Sequence, residues 1–165
     1  MRLILLLILV VTGFSCHTPE NDKSNVQTDS KDVGLVPDSG IALQFLNDYA
    51  DFCSKRPGSG ADWIANNRLL TDNFKTAYKN LLDSATKADP ELGLGFDPIF
   101  DAQDYPDQGF EIISSDRETG FLTLEGKNWP EFILVVRIVN QDNKWLVDGS
   151  GVINIPENRR ATRQN

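Results

Sequence analysis

The sequence predicts an α+β domain in which N-terminal helices pack on an antiparallel sheet of about four strands. Three observations carry this expectation. In the first half of the chain, apolar residues recur at helical spacing in two stretches that each begin at a capping residue. After Phe110 the pattern changes to short β-branched and aromatic runs separated by polar turns. Helices grouped ahead of strands, rather than alternating with them, give a layered α+β arrangement instead of a parallel βαβ sheet.

Taken in chain order, residues 1–15 read as an export signal. Met1-Arg2 precedes the unbroken apolar run Leu3 to Val11, followed by Thr12-Gly13-Phe14-Ser15 and Cys16. The run is shorter than the ~20 residues a bilayer-spanning helix needs, but fits the ~7 to 15 residues of a secretory core segment. Small residues leading into a cysteine resemble a bacterial lipoprotein signal, in which Cys16 receives lipid and becomes the first residue of the mature protein. Gly13 and Phe14 depart from the usual pattern, which places an aliphatic residue three positions before the cysteine. The implied partner is the lipid bilayer, reached through acylated Cys16, and the implied location is the bacterial cell envelope, periplasmic or surface-exposed. A diacyl or triacyl group supplies the two-chain anchoring that a single acyl chain does not.

Residues 16–38 read as a flexible tether. Thr, Pro, Asn, Asp, Ser and Lys dominate it, with only Val26, Val33, Leu35 and Val36 as apolar interruptions. Such a stretch buries too little apolar surface to offset its ordering entropy. A single domain is expected over residues 39–157, with a solvated tail at 158–165.

Asp38 or Ser39 can cap the first helix, whose apolar positions are Ile41, Phe45, Tyr49, Phe52 and Cys53. Pro57-Gly58-Ser59-Gly60 ends it, and Ala61 to Asn66 forms a short helical turn presenting Trp63 and Ile64. Thr71 is a good N-cap for a second long helix carrying Phe74, Tyr78, Leu81, Leu82 and Ala85, which stops before Asp89-Pro90. The strands are expected at Phe110 to Ser115, Phe121 to Glu125, Phe132 to Val139 and Trp145 to Ile155. Gln141-Asp142-Asn143-Lys144 is the hairpin turn before the last of them, and Gly149 and Gly151 predict a bulge or bend within it. Trp129 and Trp145 are expected to pack sheet against helices.

Charge narrows the function classes. Loss of Arg2 with the leader leaves 15 basic against 24 acidic residues, a net charge of −9. A surface of that sign repels nucleic acid and anionic headgroups, so no nucleic-acid partner is expected. If Cys16 is acylated, Cys53 has no intramolecular disulfide partner, and the domain must stand on its core. The lone histidine, His17, directly follows the acylation position, so catalytic sites that require a folded histidine are not predicted. No cysteine and histidine zinc spacing and no phosphate-cradling glycine loop are present, and neither a metal nor a cofactor is expected.

The most lopsided segment lies between Lys87 and Arg117, where eight acids occur without a single base. Its centre, Gly93 to Asp107, is a long loop of turn-formers and aromatics. Three readings stay open. Asp97 and Asp104 could hold the loop by accepting backbone N–H bonds while Phe96, Ile99, Phe100 and Tyr105 plug the space between helices and sheet. Asp97, Asp101, Asp104 and Asp107 could converge on a hard cation such as Ca²⁺, although the spacing is not that of an EF-hand. Asp97, Gln103, Asp104 and Tyr105 could line a pocket mouth with Trp63 or Trp145.

The export signal, the helical half, Asp97-Pro98, Ala102-Gln103-Asp104 and the closing Lys144-Trp145-Leu146-Val147-Asp148 together resemble the bacterial lipoprotein family called domain of unknown function 3828. The resemblance spans Ile41 to Ile155. It implies a fold similar to the cystatin-like and nuclear-transport-factor-2-like layouts, in which a curved sheet wraps a long helix and leaves a cone-shaped cavity. It implies no reaction, and it marks Asp97, Gln103 and Asp104 only as loop residues beside the sheet. The expectation is therefore a non-enzymatic, lipid-anchored protein that binds a small molecule or protein partner through the sheet concavity and the Asp97 to Asp107 loop. The alternatives are an envelope hydrolase using carboxylates such as Asp97 and Asp104, and an inhibitor or immunity-type partner protein.

Overall fold

The computed structural model of the chain describes residues 37–55 and 59–161. The expectations for the leader, Cys16 and the tether through residue 36 lie outside the described residues. Three helices, α1 (Gly40–Lys55), α2 (Gly60–Asn66) and α3 (Asp72–Ala88), precede four strands, β1 (Phe110–Ser115), β2 (Phe121–Gly126), β3 (Trp129–Gln141) and β4 (Lys144–Ser150). The strands form one antiparallel sheet in the order β1-β2-β3-β4. This is the α+β class, with an open sheet.

Each helix starts where a side chain takes up an orphan amide. Asp38 accepts from Gly40 N at 3.1 Å, Ser59 from Asp62 N at 3.3 Å, and Thr71 from Phe74 N at 3.0 Å. The buried stripe of α1 is Ala42, Phe45, Leu46 and Tyr49, whereas Ile41, Phe52 and Cys53 are only half-buried at its margins. In α3 only Phe74 and Tyr78 are buried. Its C-terminal half carries Leu81, Leu82 and Ala85 half-buried.

The two-residue turn at Asp142 and Asn143 has positive φ at both positions, 52° and 61°, the twist-matched geometry of a tight hairpin. A register irregularity interrupts each of the three strand pairs, at Ile112/Ser114, Glu125/Gly126 and Arg137/Ile138. Such bulges bend a sheet. Beyond β4, Leu69 to Thr71 lies parallel to Val147, with Thr71 N donating to Val147 O at 3.0 Å and Val147 N to Leu69 O at 2.8 Å. The residues just ahead of α3 thus pair with the middle of the outer edge of β4.

The inner face of the sheet contributes Phe110, Leu122, Leu124, Phe132, Leu134, Val136, Ile138 and Val147, each at most 6% exposed. Phe45 sits against it, with Phe74 5.7 Å and Trp63 6.2 Å away between ring centres. A run of ring contacts continues from Trp63 through Tyr49, Phe100 and Phe110 to Phe132. The sheet concavity is therefore filled with side chains, where the expectation placed a binding surface.

Several local expectations are corrected. Strand β3 begins at Trp129, before Pro130, and β4 ends at Ser150 because Gly151 takes φ +58° and turns the chain away. Trp129 is 42% exposed and packs at the sheet end against Phe132, rather than between the layers. The arginines after Ile155 are not all solvated: Arg160 Nε donates to Ile155 O at 3.0 Å, and the Arg159 guanidinium lies 4.4 Å from the centre of the Phe121 ring.

Candidate functional site

The loop ahead of β1 is ordered by its own residues. Asp97 and Ala102 exchange backbone hydrogen bonds of 2.8 and 3.2 Å, closing a short loop in which Asp101 takes φ 53°. Inside it, Asp97 Oδ1 accepts from Ile99 N at 2.8 Å and Phe100 N at 3.0 Å. Asp97 Oδ2 accepts from the Tyr49 hydroxyl at 2.7 Å. Ile99 and Phe100, both wholly buried, are thereby driven into the core as a plug. The loop is also stitched to the end of the sheet: Ser150 Oγ donates to Ile99 O at 2.9 Å, and Val152 N to Pro98 O at 3.0 Å.

Tyr78 of α3 is buried close enough to Tyr49 and Asp97 to feel their charges, so α1, α3 and the loop meet at one buried polar cluster. Burial raises the Asp97 carboxyl above its ordinary range, opposed by the bonds from Tyr49, Phe100 and Ile99 that favour its charged form. Burial is also the leading cause that pushes both tyrosine hydroxyls up, and the neighbouring Asp97 charge adds to it. With Tyr49 and Tyr78 at most 6% exposed, this cluster acts as a pin between three elements.

Two open grooves flank α1, one on each side of its buried stripe. The first, about 620 Å³, lies between Asn47, Ala50, Asp51 and Ser54 of α1 and the segment Gln103 to Gly109. The second, about 580 Å³, lies between Gln44, Asp48 and Phe52 of α1 and the stretch from Ser59 through α2 to Leu69.

The residues singled out in the sequence divide among these places. Gln103, Asp104 and Tyr105 line the first groove, Trp63 lines the second, and Asp97 lines neither. Trp145, the other candidate neighbour of the loop, packs half-buried against the core. Asp97 and Asp104 thus do not share a pocket. Among the described residues no three acidic, cysteine or histidine side chains gather to hold a metal ion, so the four loop aspartates do not form the Ca²⁺ cluster weighed above.

In the first groove the loop wall is held firmly. Tyr105 stacks on Phe100 with ring centres 4.5 Å apart, and Gln103 Nε2 donates to Gly95 O at 3.2 Å. Asp107 accepts from Asn128 Nδ2 at 2.6 Å. Gly109, at φ +84°, lets the wall approach α1, since a Cβ there would stand 2.6 Å from Asn47 Oδ1. Across the groove Asp51 is paired with Lys55 at 2.7 Å, while Asp104 has no hydrogen-bond or ion-pair partner among the described residues. The lining holds three acids and no base.

A second buried carboxylate lies on β4. Asp148, 6% exposed, accepts from Thr71 Oγ1 at 2.7 Å and Asn73 Nδ2 at 3.3 Å, and pairs with Arg137 at 3.3 Å. It joins the cap of α3 to β4. Sequence reasoning places Tyr49 only in the α1 stripe and Trp63 beside the loop, and misses Asn47, Asp51, the bonds of Asp148 and the rest of the second groove. The available signal was the spacing of polar positions 44, 48 and 47, 51, 54 on either side of the α1 stripe.

No protein-family model, curated protein or solved structure matches the chain.

Proposed function

We propose that this chain is an envelope lipoprotein, held to the membrane by lipid on Cys16, whose α+β domain is a non-enzymatic binding module for a positively charged small molecule or a basic segment of a protein partner. The observation that carries the reading is the first groove, where Asp104 and Asp107 line the wall with the half-buried Tyr105, Asp51 stands across paired with Lys55, and no base is among the lining residues. Carboxylates beside an aromatic ring attract a cation both by charge and through the ring face. The groove volume suits a small ligand, within the ~300 to 1,000 Å³ of known sites. Two further points support binding over hydrolysis by a carboxylate pair. Asp97 is committed to the Ile99 and Phe100 amides and to Tyr49, and it lies outside the groove that Asp104 lines. No described helix is long and apolar enough to cross a membrane, and the anchor of this reading is lipid on Cys16.

Calorimetric titration with spermidine tests the groove. We expect saturable binding with Kd below about 1 mM at low salt, weakened roughly tenfold, about 1.4 kcal/mol, by Asp104→Asn. Absence of binding, or an Asp104→Asn variant that binds as well as the parent, refutes the cation reading. Cys16→Ala is expected to move the protein from the membrane to the soluble fraction and to abolish labelling by palmitate. Unchanged fractionation of that variant refutes the anchor.

A further inference from the structure

The groove on the opposite flank of α1 has a different chemical make-up. Its floor is aromatic: the Trp63 and Phe52 rings lie 5.4 Å apart at 31°, and Phe45 and Tyr49 back Trp63 from the core side. Its rim is polar, with Gln44 and Asp48 one turn apart on α1 and Asp62, Asn66, Asn67 and Arg68 facing them. Two acids and one base give the rim a formal charge of −1, against −3 for the lining of the first groove.

Much of the rim's hydrogen-bonding capacity is unused. Asn66 donates one amide proton to Asp62 O at 2.8 Å, which leaves its side-chain carbonyl. Asn67 Oδ1 accepts from Leu69 N at 2.8 Å, which leaves its amide protons. The side chains of Gln44, Asp48, Asp62 and Arg68 make no hydrogen bond or ion pair among the described residues. Donors and acceptors thus alternate around an apolar floor.

We propose that this second groove is a saccharide-binding site, in which Trp63 supplies the platform for a sugar ring and the Gln44, Asp48, Asn66 and Arg68 side chains bond its hydroxyls. A sugar ring presents an apolar C–H face and a margin of hydroxyl groups that both donate and accept, which is the complement of this lining. A wholly apolar ligand leaves the rim groups desolvated and unpaired, at a cost for each. The groove volume, about 580 Å³, admits a short oligosaccharide. This site is separate from the cation-binding groove and does not depend on that reading.

The test is a calorimetric and amide-shift titration of the whole chain with three probes: a tetramer of N-acetylglucosamine, cellotetraose and maltotetraose. We expect saturable binding of at least one, with shifts confined to residues 44–69. The Gln44→Ala/Asp48→Ala double variant, altered only at exposed helix positions, is expected to bind at least tenfold more weakly with an unchanged melting temperature. Trp63→Ala removes the platform, but Trp63 also packs the core, so the double variant decides the matter where that protein fails to fold. Absence of binding by all three probes up to about 10 mM overturns the proposal, as does binding indifferent to the double variant. Spermidine binding is read separately on the same samples, so failure of one groove leaves the result at the other standing.

Discussion

Replacing Asp97 by alanine strands three donors at once: the Ile99 and Phe100 amides and the Tyr49 hydroxyl. Each buried donor left unpaired costs about 1 to 3 kcal/mol. Relief of a partly desolvated carboxylate offsets some of this, so the net loss is about 3 kcal/mol. A domain of this size loses roughly 3 to 5 °C for each kcal/mol, which puts the expected fall in melting temperature near 10 °C. Thermal unfolding followed by circular dichroism measures it, and a shift below about 2 °C refutes the pinning role of Asp97. The isosteric Asp97→Asn variant separates charge from hydrogen bonding. Because the folded carboxyl titrates above its ordinary 3.8, the folded state binds the proton more tightly than the unfolded chain. Stability from this group is therefore fullest below the unfolded value and declines as pH rises through the folded one. The stability of the parent relative to Asp97→Asn should fall as pH is raised above about 4 and then level off. A difference that grows with pH refutes the burial argument.

Gly151→Ala is expected to lose roughly 2 to 4 kcal/mol in urea unfolding, because φ is +58° and a Cβ would stand 2.5 Å from the carbonyl oxygens of Pro98 and Ile99. Asp148→Ala leaves Arg137 without its carboxylate and the Thr71 hydroxyl without its acceptor; with Arg137 partly exposed, the expected loss is about 2 to 3 kcal/mol, again by urea unfolding. Asp116 is held below its ordinary range by the Thr119 side-chain hydrogen bond first, with help from the Thr119 and Glu118 amides and Arg159. Thr119→Val should therefore move the Asp116 titration upward by carbon-detected NMR, and an unmoved curve refutes that assignment.

The helices were legible because capping and period agree. Thr71 is the N-cap of α3, and the tight turn before β4 has the Asp-Asn pair that tolerates positive φ. Ala42 and Leu46 were harder to read, since the burial of α1 follows a stripe slightly rotated from its largest apolar residues. Strand ends depended on tertiary partners. The glycines marked a bend in the last strand, but that β4 stops at Ser150 depends on the Pro98 and Ile99 carbonyls beside Gly151, some fifty residues away, which leave no room for a Cβ there. The same limit governed the site. Gln103, Asp104 and Tyr105 fell into one groove, but the opposite wall comes from α1, and Trp63 faces away on the other flank. Asp97 showed as an acid in a turn, while its bond to Tyr49 required the fold.

The Leu69 to Thr71 segment pairs with the middle of one border of the sheet and leaves β1 as the other, a short strand that carries Glu111 and an irregularity at Ile112/Ser114. A neighbouring strand that tried to append there would find no long uninterrupted run of matching backbone groups and a negative charge beside it, which disfavours growth into fibrils. The border formed by β1 therefore resists edge-to-edge pairing between copies of the domain.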